Sequence, residues 1–257
     1  MTGIDVAYRL EGSGPPLYMI HGIGSRKEHW DPFVTALKHK FTCVIYDLRG
    51  HGESPVPPTP YNLGNLVEDL ERLRKQLSHE QIHVMGHSLG GVIGPAYARA
   101  YGDRTLSVGL LSTAAGRTDQ DREILFGVIE QLRQNGIPET FGKLANRWYT
   151  DAFMEERPEV VETQMQRVLM TPEDVFLSVF EVYASSEMGP WLKEINCPCL
   201  VLTAEFDGGS NPRLNQFIAD ELPDSELIIL PDLKHDILQE APDLVIKHLL
   251  DFFNKRT

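Results

Sequence analysis

Six continuous apolar runs, PPLYMIHG, FTCVIYDL, QIHVMGHS, LSVGLLST, CPCLVLTAEFD and SELIILPD, recur along the chain with helical patterns between them. Apolarity that is continuous rather than alternating marks strands covered on both faces. Alternation of such strands with helices implies an α/β fold with a mainly parallel, doubly wound sheet, and ligands of such sheets bind beyond the carboxyl ends of the strands. Two helices stand out: Tyr61 to Leu77, with Leu63, Leu66, Leu70, Leu73 and Leu77 at helical spacing, and Asp243 to Phe253.

One segment interrupts the alternation. Between Arg117 and Pro190 there is no strand pattern, only amphipathic helices, the first with Ile124, Leu125, Val128, Ile129 and Leu132 on one face and ended by Gly136-Ile137-Pro138. Pro158 and Pro172 suit first helical turns, and Thr171 with Asp174 has the form of a capping box. The expected organisation is a core of residues 1–116 and 191–257 with a helical cap, residues 117–190, inserted before the last strands and lying over the strand ends. A purely structural appendage is the alternative.

At 257 residues and 42% hydrophobic content, one core of this size can be filled. No apolar run reaches the length of a membrane span, and MTGIDVAYRLEG has neither a basic nor an apolar leader segment, so a soluble, cytoplasmic protein is expected. A net charge of −13 disfavours nucleic acid and anionic membranes as partners. Cys43, Cys197 and Cys199 cannot all pair with one another and read as reduced thiols. Cys197-Pro198-Cys199 lacks metal or redox spacing and reads as packing.

Chemistry concentrates at Gly86-His87-Ser88-Leu89-Gly90. Small residues around a serine between a strand and a helix permit the tight elbow that holds a nucleophilic hydroxyl out into a cleft. The strand pattern CPCLVLTAEF delivers Asp207 and SELIILPD delivers His235 to the same sheet edge. In such a set His235 takes the Ser88 proton, and Asp207 fixes the imidazole tautomer and stabilises its charged form. Asp232 and Asp236 are alternative acids, but sit too close to His235 in the chain to reach back to its ring easily. Oxyanion donors are expected from the backbone N–H groups of Ile23, after His21-Gly22, and Leu89.

Of the other histidines, His29, His39, His79 and His248 read as solvated, and His83 lies away from the active edge. His51 and His87 are near the site and read as structural hydrogen-bonding residues.

Through HGIGSRKEHW, YDLRGHGES, GHSLGG, EFDGGSNP and HDILQEAP the chain resembles the α/β-hydrolase family over essentially its whole length. Within that family HGIGSRKEHWDPFVTAL, DLRGHGESPVPPTPYNLGNLVEDL, LLSTAA and RWYTDAF are similar to the 3-oxoadipate enol-lactonase group. Enol-lactonases often carry an aliphatic residue where His87 stands, and a different tetrapeptide after their catalytic histidine than Asp236-Ile237-Leu238-Gln239.

The resemblance implies a serine hydrolase that cleaves a small carboxylic ester or lactone through an acyl-enzyme, without metal or organic cofactor. Amide or carbon–carbon bond hydrolysis and cofactor-free perhydrolysis use the same triad, and a hydrolase-fold receptor with little turnover can retain it. A carboxylated substrate would need a local cation in so acidic a protein. Arg26, beside the oxyanion loop, and Arg147, in the cap, are the candidates, with surface solvation as the alternative for each. Trp30 and Trp148 join them as residues lining the pocket or the core.

Overall fold

Each of the six apolar runs becomes a strand. The computed structural model describes residues 3–255, without the side chains of Phe141 and Leu144. Its first half contains β1 (Tyr8–Gly12), β2 (Pro16–Ile20), α1 (Asp31–Leu37), β3 (Thr42–Tyr46), α2 (Leu63–Gln76), β4 (Ile82–His87), α3 (Gly90–Ala100) and β5 (Thr105–Leu111). Four helices follow without a strand: α4 (Asp119–Trp148), α5 (Asp151–Glu156), α6 (Pro158–Met170) and α7 (Glu173–Ser185). The chain then returns to the sheet through β6 (Cys199–Ala204), α8 (Pro212–Glu221), β7 (Ser225–Leu230), α9 (Ile237–Glu240) and α10 (Pro242–Asn254).

The sheet runs β1-β3-β2-β4-β5-β6-β7. All neighbours are parallel except β1 on β3. Alternate residues enter different cores. Tyr18, Ile20, Val44, Val84 and Val108 pack with α2 and α3, whereas Leu17, Met19, Cys43, Ile45 and Leu200 pack with α1 and α10. Burial of both faces is the physical reason for the unbroken apolar runs. Parallel strands put Ile20, His87, Ala204 and Leu230 at one edge, and the loops that follow them build the site. Among the described residues no helix is long and apolar enough to cross a membrane.

Local readings need correction in three places. β1 was absent from the strand pattern: YRLEG is a short edge strand with alternating half-exposed residues. Ile124 is 54% exposed, so the buried stripe of α4 is carried by Leu125, Val128, Ile129 and Leu132. At Gly136, with φ 77° and ψ 166°, the first helical stretch ends as the sequence implies, and a second begins at once and runs to Trp148 within α4. The Thr171 and Asp174 capping box is not formed: Thr171 Oγ1 donates to the Arg167 carbonyl, Asp174 accepts from Thr59, and Pro172 occupies the cap position of α7.

Candidate active site

Ser88 sits between β4 and α3 at φ 56°, a left-handed conformation that a non-glycine residue adopts at a cost. The neighbours permit it by being small. A Cβ on Gly86 would stand 1.9 Å from the Gly90 carbonyl oxygen, and one on Gly90 would stand 2.2 Å from that of Ile20. Strand and helix therefore approach closer than side chains allow. The Ser88 N–H is tied to the Leu111 carbonyl at 2.9 Å, which fixes the elbow to β5.

His235 Nδ1 lies 2.7 Å from Asp207 Oδ2. The other oxygen of Asp207 accepts the Gly209 and Ser210 N–H groups at 2.9 and 2.7 Å, so this buried carboxylate is held at both ends. Burial works against its charge, yet the His235 imidazole and these donors keep its pKa below the ordinary 3.8. Burial likewise opposes the imidazolium, but the Asp207 charge and hydrogen bond raise the His235 pKa above 6.5. Ser88, Asp207 and His235 line one cavity of about 620 Å³ including its mouth. No hydrogen bond joins the Ser88 hydroxyl to the ring among the described residues, a looseness usual in ligand-free hydrolase sites.

The loop after β2 closes over the serine. A Cβ on Gly22 would meet Ser88 Cβ at 3.1 Å. His21 Nε2 accepts the Leu48 N–H at 3.0 Å, and His51 Nε2 accepts that of Gly24 at 3.2 Å. Both rings must be neutral to accept there. Burial pushes their pKa values down to about 3 for His21 and about 4 for His51. Neither the Ile23 nor the Leu89 N–H donates to an acceptor among the described residues, while Ile23 borders the cavity beside Ser88. Two unspent donors next to a serine can receive a developing oxyanion.

The four substrate-binding candidates separate. Arg147 and Trp148 line the cavity with Leu125, Val128, Phe176 and Phe180. Arg26 does not; its guanidinium rests against Met170 Sδ at 3.3 Å near the surface. Trp30 is fully buried in the core beneath the sheet, its ring edge-on to Phe33 at 5.1 Å, and cannot touch a ligand in the cavity. Its apolar bulk made it a core residue, which its place in the sequence beside the oxyanion loop disguised.

Two histidine readings also change. His79 is half-buried with its Nδ1 2.8 Å from the Tyr18 hydroxyl. His29 is 2% exposed and places Nε2 2.9 Å from Asp236 Oδ1, while Tyr149 donates to Asp236 Oδ2 at 2.5 Å. Burial opposes the charge of Asp236, but His29, His87 and the Tyr149 hydroxyl hold its carboxyl far below 3.8. His87 Nε2 donates to the His235 carbonyl at 3.0 Å, and burial pushes its pKa down to about 4. Among the described residues, His29, His87 and Asp236 each bring one ligating atom within 4.8 Å of the others, a grouping that could hold a metal ion. Sequence reading named no metal ligand, because Asp236 and His29 are far apart in the chain. Ser25 and Gln164, which border the serine on this side, also escaped it.

The profile described as alpha/beta hydrolase fold matches residues 15–242. The 3-oxoadipate enol-lactonase 2 of Acinetobacter baylyi is 26% identical, covering 100% of this chain and 96% of that protein. The crystal structure of the enol-lactonase from Burkholderia xenovorans superposes with a TM-score of 0.91 at 27% identity, over 97% of this chain and 96% of that one. A thermophilic esterase from Thermogutta terrifontis, solved with malate bound, gives 0.88 at 28% identity, over 97% and 93%. Sheet order, inserted helices, serine elbow and sequence match agree: the chain belongs to the alpha/beta hydrolase fold family, whose serine hydrolases of the 3-oxoadipate enol-lactonase type it closely resembles.

Proposed function

We propose that the protein hydrolyses a small carboxylic ester or lactone with Ser88 as nucleophile, His235 as general base and acid, and Asp207 as the group that orients and stabilises the imidazolium. The observation that carries this reading is the 2.7 Å contact of His235 Nδ1 with Asp207 Oδ2 in the cavity that Ser88 enters from its elbow. The likeness to enol-lactonases and an esterase supports the substrate class.

In the first step His235 Nε2 takes the Ser88 proton as Oγ attacks the carbonyl carbon, and the carbonyl electrons move to an oxygen that accepts from the Ile23 and Leu89 N–H groups. Collapse expels the alkoxide, which receives the proton from His235. Water, deprotonated by the same ring, then cleaves the acyl-serine by the reverse sequence. In a lactone both products remain one molecule, a hydroxy or keto acid.

Helices α4–α7 act in this reading as a lid, residues 117–190, over a core of residues 1–116 and 191–257. Arg147 supplies the cation for a substrate carboxylate. Cys43, Cys197 and Cys199, which form no disulfide among the described residues, fit a reducing compartment such as the cytoplasm. A fluorophosphonate probe tests the core of the proposal: it should label Ser88 and block turnover of short aryl esters. A folded protein that neither reacts with the probe nor hydrolyses such esters would overturn it.

A further inference from the structure

A second chamber of about 290 Å³ including its mouth adjoins the large cavity, with Ser25, His29, Gln164 and Asp236 on its walls. Ile23, Ser88, Trp148 and His235 border both spaces, so a carbonyl under attack lies where they meet. The two differ in chemistry. Phe176, Phe180, Leu125 and Val128 make the large one apolar, with Arg147 at its side, whereas the small one has no lysine or arginine on its walls.

Three buried polar atoms on residues of the small chamber have no partner among the described residues: Ser25 Oγ, His29 Nδ1 and Gln164 Oε1. All three residues are at most 4% exposed. Buried polar atoms are normally paired, and an orphan is costly. The hydrogen-bonding sense of Gln164 is set by its other end. Gln164 Nε2 donates to the Gly24 carbonyl at 3.3 Å, which leaves Oε1 as an acceptor. His29 turns its Nε2 to Asp236 at 2.9 Å, and its Nδ1 is left without a partner among the described residues. The Ser25 hydroxyl serves either way. Asp236 adds a fixed negative charge behind them.

We infer that this chamber is a specificity subsite, taking an arm of the substrate that carries a neutral hydrogen-bond donor, a hydroxyl or an amide N–H, next to the reacting carbonyl. The inference rests on the serine-hydrolase reading above. The Gln164 acceptor beside the Asp236 carboxylate rejects an anionic arm, which leaves the large chamber and Arg147 for any carboxylate. Sites built to bond a hydroxyl discriminate strongly against its apolar isostere, because the wall atoms are then left unpaired.

Two isosteric pairs read the subsite from either arm: para-nitrophenyl 3-hydroxybutyrate against 3-methylbutyrate, and 2-hydroxyethyl butyrate against propyl butyrate. The wild-type protein should prefer the hydroxylated member of one pair by about ten-fold or more in kcat/KM. That ratio should collapse towards one in Gln164→Leu and in Ser25→Ala, either of which suffices should the other fail to fold. Ratios near one for both pairs in the wild type would overturn the inference, as would variants that lose activity equally on both members, the mark of a chamber that only stores water or props the loop. Absence of turnover on all four esters would instead overturn the hydrolase reading, and the subsite with it.

Discussion

Tyr149, at the end of α4, donates its hydroxyl to Asp236, the residue immediately after His235, at 2.5 Å. The Asp236 N–H in turn donates to the Trp148 carbonyl at 3.0 Å. The inserted helices and the loop that carries His235 are therefore stitched side chain to side chain and backbone to backbone within one residue of the imidazole.

Tyr149→Phe should loosen this seam. It removes a charge-assisted hydrogen bond to a buried carboxylate, worth about 1.5–3 kcal/mol, and urea unfolding should show a loss of that size. Asp236→Asn should behave differently with pH. A carboxyl whose folded pKa lies below its unfolded 3.8 contributes stability that is fully present above 3.8 and fades as the pH falls through the folded value. The wild-type advantage over Asp236→Asn should therefore be constant near neutrality and shrink below pH 3.8. An advantage that grows on acidification would contradict the assignment.

Ser88→Ala and His235→Ala should each abolish hydrolysis, by up to about 10⁶ in kcat where the residues act as a unit. Asp207→Asn should cost up to about 10⁴ with the fold intact, because the amide no longer selects the required tautomer. Near-normal kcat in any of these folded variants would refute its role.

Because Asp207 raises the His235 pKa, the acid limb of kcat/KM should have its midpoint above pH 6.5. Activity needs the neutral ring, so it falls as pH drops through that midpoint. A limb centred at or below 6.5 would assign the titration to another group.

Arg147→Ala should reduce kcat/KM about ten- to a hundred-fold for carboxylated esters and leave neutral ones nearly unaffected. Since the Arg147 charge works to lower the His235 pKa, the same substitution should move the acid limb to higher pH. An equal loss on both substrate types, or no loss on either, would make the residue structural or merely solvated.

The sequence was most informative where local sterics or burial impose a pattern. Gly86, Ser88 and Gly90 announce an elbow because a Cβ is forbidden at the two glycines, and the six core strands announce themselves because both faces are covered. Contacts distant in the chain were hidden. His29 looked solvated because its partner, Asp236, stands 207 positions away. β1 was missed because an edge strand with one neighbour needs no apolar run. Trp30 and Ile124 were misplaced because helical spacing and proximity in sequence set a face only to within a residue or so.

The direct pairing of β5 with β6, Val108 to Cys199 through Leu111 to Leu202, has a consequence for how such proteins diversify. The sheet closes on its own register whatever chain loops out between the two strands, and a longer loop adds little to the closure entropy. The segment between the two strands can thus differ between relatives while Ser88, on its elbow between β4 and α3, stays put. Exchanging it carries one compatibility rule: Asp236 and Glu240 now bond Tyr149 and the Thr150 N–H. A transplanted segment must bring donors to Asp236 Oδ2 and Glu240 Oε1, or leave each carboxylate one partner short beside His235.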